Sequence, residues 1–187
     1  MGSAHLYFPG DRLSAAELTA ACLDGHLVAV GDAYIPADAV ETAALRAGSI
    51  APLLGDGLAA TGLSAAWIHG GIDEPPARHR VQRVGTRRLH HVIDRRLEYH
   101  DTPIPEADLT RVGGVRVATP ARTVGDLLRP GGAHDIQIAR RLIDSRTVTA
   151  AAALAALDDT GPLPGKRLAR RLLQEWIASA GQLDVTR

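Results

Sequence analysis

Cysteine is almost absent. The 187 residues contain one, Cys22, so no internal disulfide can form. That fits a reducing compartment, and Cys22, set in an apolar helical pattern, reads as a small buried hydrophobe. Aromatic residues number six: Trp67, Trp176, Tyr7, Tyr34, Tyr99 and Phe8. The core must therefore come from Leu, Val, Ile and Ala, which bury less area per residue, with Trp67 and Trp176 as anchors. No apolar run reaches the ~18 residues of a membrane span, and MGSAHLYFPG lacks the basic and apolar regions of a secretory signal. The expectation is a cytoplasmic protein without membrane contact. There is no Gly-x-Ser-x-Gly elbow, phosphate-binding loop or dinucleotide fingerprint, and one cysteine excludes a Cys-rich zinc site. His90, His91 and Asp94 read as solvated loop residues. The sequence thus points to no catalytic residue, no cofactor and no metal, and so to a protein that is not an enzyme.

Lysine is scarce too. Lys166 is the only one, and arginine supplies the remaining basic groups. Basic and acidic residues balance at 21 each, but unevenly along the chain. Residues 1–75 hold two arginines against nine acidic residues, a net of −7; residues 76–100 hold seven arginines against two, a net of +5. Such polarity suggests an oriented partner surface, or halves that neutralise each other.

Residues 14–24 carry a capping box, with Ser14 at the N-cap and Glu17 three residues on, and Gly25 is a natural stop. LVAV and AYIP, separated by Gly31-Asp32, read as a hairpin. A capped helix followed by a hairpin is the back half of a winged helix, whose front helix HLYFPGDR cannot supply, since it contains Pro9 and Gly10. Residues 39–54 read as one helix. A short strand and a helix from about Leu63 to His69 follow. HRVQRV at 79–84 alternates as a strand, GTRRLHHVIDRR reads as a loop, and LEYHDTPI as another strand. Gly113-Gly114 marks a second hairpin, and Thr119-Pro120 opens a helix as N-cap and N1. The remainder is helical: 135–145, an Ala-rich helix capped by Thr149, and an amphipathic helix from Lys166 with Leu168, Leu172 and Trp176 on one stripe. The fold class is α+β: an N-terminal winged-helix-like unit (residues 1–38), then an α/β domain with a mainly antiparallel sheet and a helical C-terminal tail (residues 39–187).

Three segments carry a resemblance to a known family. ELTAACLDGHLVAVGDAYIPA looks like a recognition helix and wing, LSAAWIHGG like an "S-A-A-x-x-H-G" helix, and DLTRVGGVRVATPARTVGDLL like a hairpin followed by "T-P-A-R-T-x-x-D-L". Together they span roughly residues 11–130. They resemble the AbiEi family, the antitoxin half of type IV toxin–antitoxin systems. The resemblance implies an antitoxin that neutralises a nucleotidyltransferase-like toxin and represses its own operon by binding operator DNA. A stand-alone winged-helix regulator without a toxin partner is the rival reading. A homodimer is compatible with either, a second copy replacing the absent front helix.

The chemistry of a DNA contact needs donors for base edges and cations for phosphates. Outside its apolar face the 14–24 helix offers no Arg, Lys, Asn or Gln, leaving Ser14, Thr19 and His26 as the residues able to touch DNA. The better nucleic-acid candidates are Arg78, Arg80, Arg83, Arg87, Arg88, Arg95 and Arg96. For a protein partner the candidates are Arg122 and Asp126, spaced i, i+4 on the TPARTVGDLL helix, and Lys166, Arg167, Arg170 and Arg171 on the last helix.

Overall fold

A computed structural model describes residues 6–86 and 94–184. The first helix, α1 (Ala15–Leu23), starts where the capping box places it. Ser14 Oγ accepts from the Glu17 amide at 3.3 Å, and the Glu17 carboxylate accepts from the Ser14 amide at 2.7 Å. Only Leu18 of this helix is buried, and Cys22 is half-buried rather than enclosed. Strands β1 (Leu27–Val30) and β2 (Ala33–Pro36) pair antiparallel around Gly31-Asp32. Gly31 takes a positive φ of 55°, and a Cβ there would lie 2.3 Å from Ser49 Oγ and 3.1 Å from the Trp67 ring. The turn therefore docks on the body through a contact that only glycine permits. In place of a front helix, Tyr7 exchanges two backbone hydrogen bonds of 2.9 Å with Tyr34.

The single helix expected over 39–54 is two helices, α2 (Ala43–Ser49) and α3 (Ala51–Leu54). Thr42 delays the start by capping the Leu45 amide at 3.3 Å. The break falls at Ile50 (φ −105°, ψ 3°), two residues ahead of Pro52, which has no amide donor to continue the α2 hydrogen-bond ladder and sits in the first turn of α3.

The main sheet has strands β3 (Leu58–Ala60), β4 (His79–Val84), β5 (Leu97–Ile104), β6 (Leu109–Val112) and β7 (Val115–Ala118), in the order β5-β4-β3-β7-β6. The β3–β4 and β6–β7 pairs are antiparallel, while β3–β7 and β4–β5 are parallel. With the β1–β2 hairpin, three of the five pairings are antiparallel. Helix α4 (Gly62–Ile68) follows β3. After the β6–β7 hairpin come α5 (Pro120–Leu128), α6 (Ala133–Asp144), α7 (Ala150–Asp159) and α8 (Lys166–Asp184). The molecule is thus α+β with a helical C-terminal part, and no helix among the described residues is long and apolar enough to cross a membrane.

Two apolar cores result. One packs Ile35 of the hairpin and Ile50 against Trp67, Val81 and Val117; the other joins Val124, Leu128, Ile138, Leu142, Leu157 and Leu173. Helix α4 serves both, sending Ala65 and Trp67 to the first and Ala66 to the second. Trp67 is fully buried. Trp176 is half-buried, with the Arg140 guanidinium 5.2 Å from its ring centre.

Candidate functional site

Helix α5 opens on Thr119, whose Oγ1 accepts from the Arg122 amide at 3.2 Å, with Pro120 at its first position. This start directs Arg122 between two carboxylates. Its Nε donates to Asp126 at 2.9 Å, and its Nη1 donates to Asp108, in the 3-10 turn Glu106–Asp108. Arg129 reaches Asp126 from the next turn at 3.3 Å. All four side chains are at most a quarter exposed. Burial disfavours the charged form of Arg122, but Asp126 and Asp108 together outweigh it and raise its pKa above the ordinary value.

Above this chain of charges lies a groove of about 610 Å³, walled by Pro103, Pro105, Ala121, Ala156 and Leu163, with Asp108 and Arg122 among its polar lining. It adjoins a second hollow of about 570 Å³ along the Thr160–Leu163 turn, where Lys166, Arg167 and Arg170 line the wall. The turn is drawn in tightly, since a Cβ on Gly165 (φ 75°) would overlap the Arg129 carbonyl oxygen.

The structure thus gathers Arg122, Lys166, Arg167 and Arg170 around one composite groove, with Asp126 lining a small hollow that adjoins it. Their roles differ. Lys166 Nζ donates to the carbonyls of Asp158 and Thr160, closing the C-terminal end of α7. Arg170 pairs with Asp158, its Nε donating at 3.0 Å. Arg167 is exposed and has no ion-pair partner among the described residues. Arg171 stands outside the groove lining, 3.8 Å from Glu175.

The residues expected at a nucleic acid do not form one surface. Ser14 is spent on its cap, and Thr19 Oγ1 donates back to the Ala15 carbonyl at 2.8 Å. His26 is exposed. Arg78 donates to the Leu97 carbonyl at 2.6 Å, and Arg80 pairs with Glu98 at 3.0 Å. Arg83 is buried, with Asp101 at 3.0 Å. Arg96 bridges Asp94 at 2.7 Å and Asp32 at 2.9 Å, tying the hairpin turn to the start of β5. Hydrogen bonds from Arg96 hold the Asp94 carboxyl down at about 2. Arg95 is exposed. Arg87, Arg88, His90 and His91 lie outside the described residues. The polarity seen along the chain is therefore partly neutralised within it, most directly at Asp32–Arg96.

Sequence reasoning gave no role to a buried polar group beside α4. Ser64 Oγ accepts from the Arg80 amide at 2.9 Å and lies 3.3 Å from His79 Nδ1. His69 Nε2 meets the Ala118 carbonyl at 2.8 Å, so the "S-A-A-x-x-H-G" helix is tied directly to the strand that leads into "T-P-A-R-T". The spacing of Ser64 and His69 was visible in the sequence, but their partners are distant along the chain.

Both histidines are held below the ordinary range, in each case chiefly by burial; for His69 the bond to Ala118 opposes this, and for His79 the charge of Asp32 does. A histidine that charges more easily when unfolded favours unfolding as pH falls below its unfolded pKa of about 6.5. Stability should therefore decline as pH is lowered from 6.5, with a limiting slope of about 1.4 kcal/mol per unit for each histidine, until the folded-state values are passed. Urea titrations between about pH 7.5 and 5 check this; His79→Gln should reduce the slope, and a wild-type curve without slope contradicts it.

No protein-family model matches the chain, and no curated protein matches it.

Proposed function

We propose that this chain is a non-enzymatic antitoxin of the AbiEi type, neutralising a nucleotidyltransferase-like toxin by direct protein contact through the α5–α7–α8 groove. The observation that carries the reading is the convergence there of Arg122, Lys166, Arg167 and Arg170, with Asp126 in the adjoining hollow, from segments about 40 residues apart. Apolar walls beside a charged rim suit a protein partner. The resemblance of residues 11–130 supplies the identity of that partner. Protein contact is favoured over operator binding by the surface of α1. Its exposed residues include Ala15, Ala16, Glu17, Thr19, Ala20 and Leu23, and none is a cation. A duplex presenting one negative charge per ~1.7 Å finds no phosphate partner on such a helix.

Co-expression with a nucleotidyltransferase-like toxin of the type IV class tests the proposal. Expected is rescue of growth, with Arg167→Glu weakening rescue while the circular dichroism spectrum is unchanged. Absence of rescue by the wild-type chain, or metal-dependent nucleic-acid cleavage by the chain itself, would overturn the reading.

A further inference from the structure

The polar side of the main sheet has no part in the groove. Its composition follows from register, since side chains alternate across a strand. Ala59 faces Gln82, which faces His100; Arg80 faces Glu98. Ala60 faces Val117, so Arg116 stands on the Ala59 side, and Arg111 faces Arg116. The opposite side carries Ala60, Val81 and Val117, all at 0% exposure. One side is core; the other carries the buried Ala59 and Ala118 together with Arg80, Gln82, Glu98, His100, Arg111 and Arg116.

Three features of this side point to a ligand. First, Arg80 Nε, Gln82 Oε1 and Arg116 Nε are buried without a hydrogen-bond partner among the described residues, as is Thr61 Oγ1, which continues β3 on the same side. A buried polar atom left unpaired costs about 1–3 kcal/mol, so these four mark a side whose polar groups gain if its side chains shift to meet a partner. Second, three arginines face one carboxylate. Glu98 pairs with Arg80, whereas Arg111 and Arg116 donate only to the carbonyls of Gly114 (3.1 Å) and Asp56 (2.8 Å) among the described residues. Third, the arginines stand on β4, β7 and β6, stepping across strands spaced about 4.8 Å apart.

We infer that this side of the sheet binds the phosphodiester backbone of nucleic acid, with Arg80, Arg111 and Arg116 as phosphate contacts and Gln82 as a neutral donor and acceptor between them. Planar guanidinium forks match phosphate oxygens. Among the described residues the side carries no Phe, Tyr or Trp, so binding is independent of base sequence rather than built on stacking. It also lacks the exposed aromatic or Met side chains that form the core of a protein interface. The inference goes beyond the antitoxin reading and does not rest on it.

Fluorescence anisotropy with a labelled single-stranded DNA of mixed sequence, read over a salt series with the full chain, tests it. Expected at about 50 mM salt is binding that weakens steeply as salt rises. Arg111→Gln should lower the slope of log K against log salt by about 0.7, the loss of one phosphate contact. Arg111→Glu should weaken binding about tenfold or more, the worth of one charge-assisted hydrogen bond. Both changes are at an exposed side chain, so folding is preserved, and Arg167→Glu on α8 should change nothing. No binding at low salt, equal affinity for Arg111→Glu and wild type, or loss through Arg167→Glu alone overturns the inference. Displacement by polyglutamate as effective, charge for charge, as by DNA also overturns it, in favour of an acidic protein partner.

Discussion

Arg122→Ala should cost about 3–5 kcal/mol of folding stability, because it removes the shared partner of two largely buried carboxylates. Asp108 and Asp126 are 17% and 12% exposed in their side chains, and Arg122 itself is 13% exposed. Loss of the guanidinium leaves Asp108 without its cation, while Asp126 retains Arg129 at 3.3 Å. The larger share of the penalty should therefore come from Asp108. The damage also has a direction. The Asp108 carbonyl accepts from the Thr119 amide at 2.8 Å, so the 3-10 turn and the start of α5 are held together twice, by backbone and by ion pair. Urea denaturation followed by circular dichroism measures the loss. Arg122→Met combined with Asp108→Asn should recover part of it, since a buried ion pair replaced on both sides is far less costly than one broken on a single side. A loss below about 1 kcal/mol would mean that solvent screens the network as it does a surface pair, and would remove its claim to set the groove floor.

Trp67→Ala should be comparably damaging, at about 3–5 kcal/mol, the usual cost of truncating a buried large aromatic. The indole is fully buried and is met from several directions: the Gly31 turn, the His79 ring with centroids 5.9 Å apart, and the Arg46 guanidinium 5.7 Å from the ring centre. With so few aromatic side chains in the protein, no neighbour is large enough to refill the space. Helix α4 contributes to both cores, so loosening its Trp67 face should weaken the docking of the hairpin and of the α5–α8 layer together. A single cooperative transition shifted to lower urea is expected by circular dichroism. Two separated transitions would show that the hairpin unit and the helical layer fold independently. Trp67→Phe should be much milder. The indole Nε1 makes no hydrogen bond among the described residues, so phenylalanine forfeits area but no polar partner there.

The features legible in the sequence are those whose causes lie within a few residues. The Ser14–Glu17 capping box, the hairpin at Gly31-Asp32, the Gly113-Gly114 turn with φ of 56° and 84°, and the Thr119-Pro120 helix start all appear where local chemistry puts them. The start at Ala43 and the break at Ile50 were also local, written in Thr42 and Pro52, but the apolar spacing of 39–54 reads as one continuous helix. The positions of the candidate partner residues were legible one by one, but not the fact that Arg122 and Lys166 meet at one groove while Arg171 stands apart.

By itself, then, the sequence determined the elements and their order, because caps, turns and apolar periodicity are short-range. It also determined that α1 would present no cation, because composition alone settles that. Only the tertiary structure decided which charges remain available. Arg78, Arg83 and Arg96 look alike in the sequence with Arg95, yet the first three are consumed by Leu97, Asp101, Asp94 and Asp32, and Arg95 is left exposed. Register decided that Arg80 stands on the polar side of the sheet with Arg111 and Arg116 while Arg83 points into the core side. The pairing of Ala60 with both Val81 and Val117, residues distant along the chain, is set by their common burial on one side, and no local signal carries it.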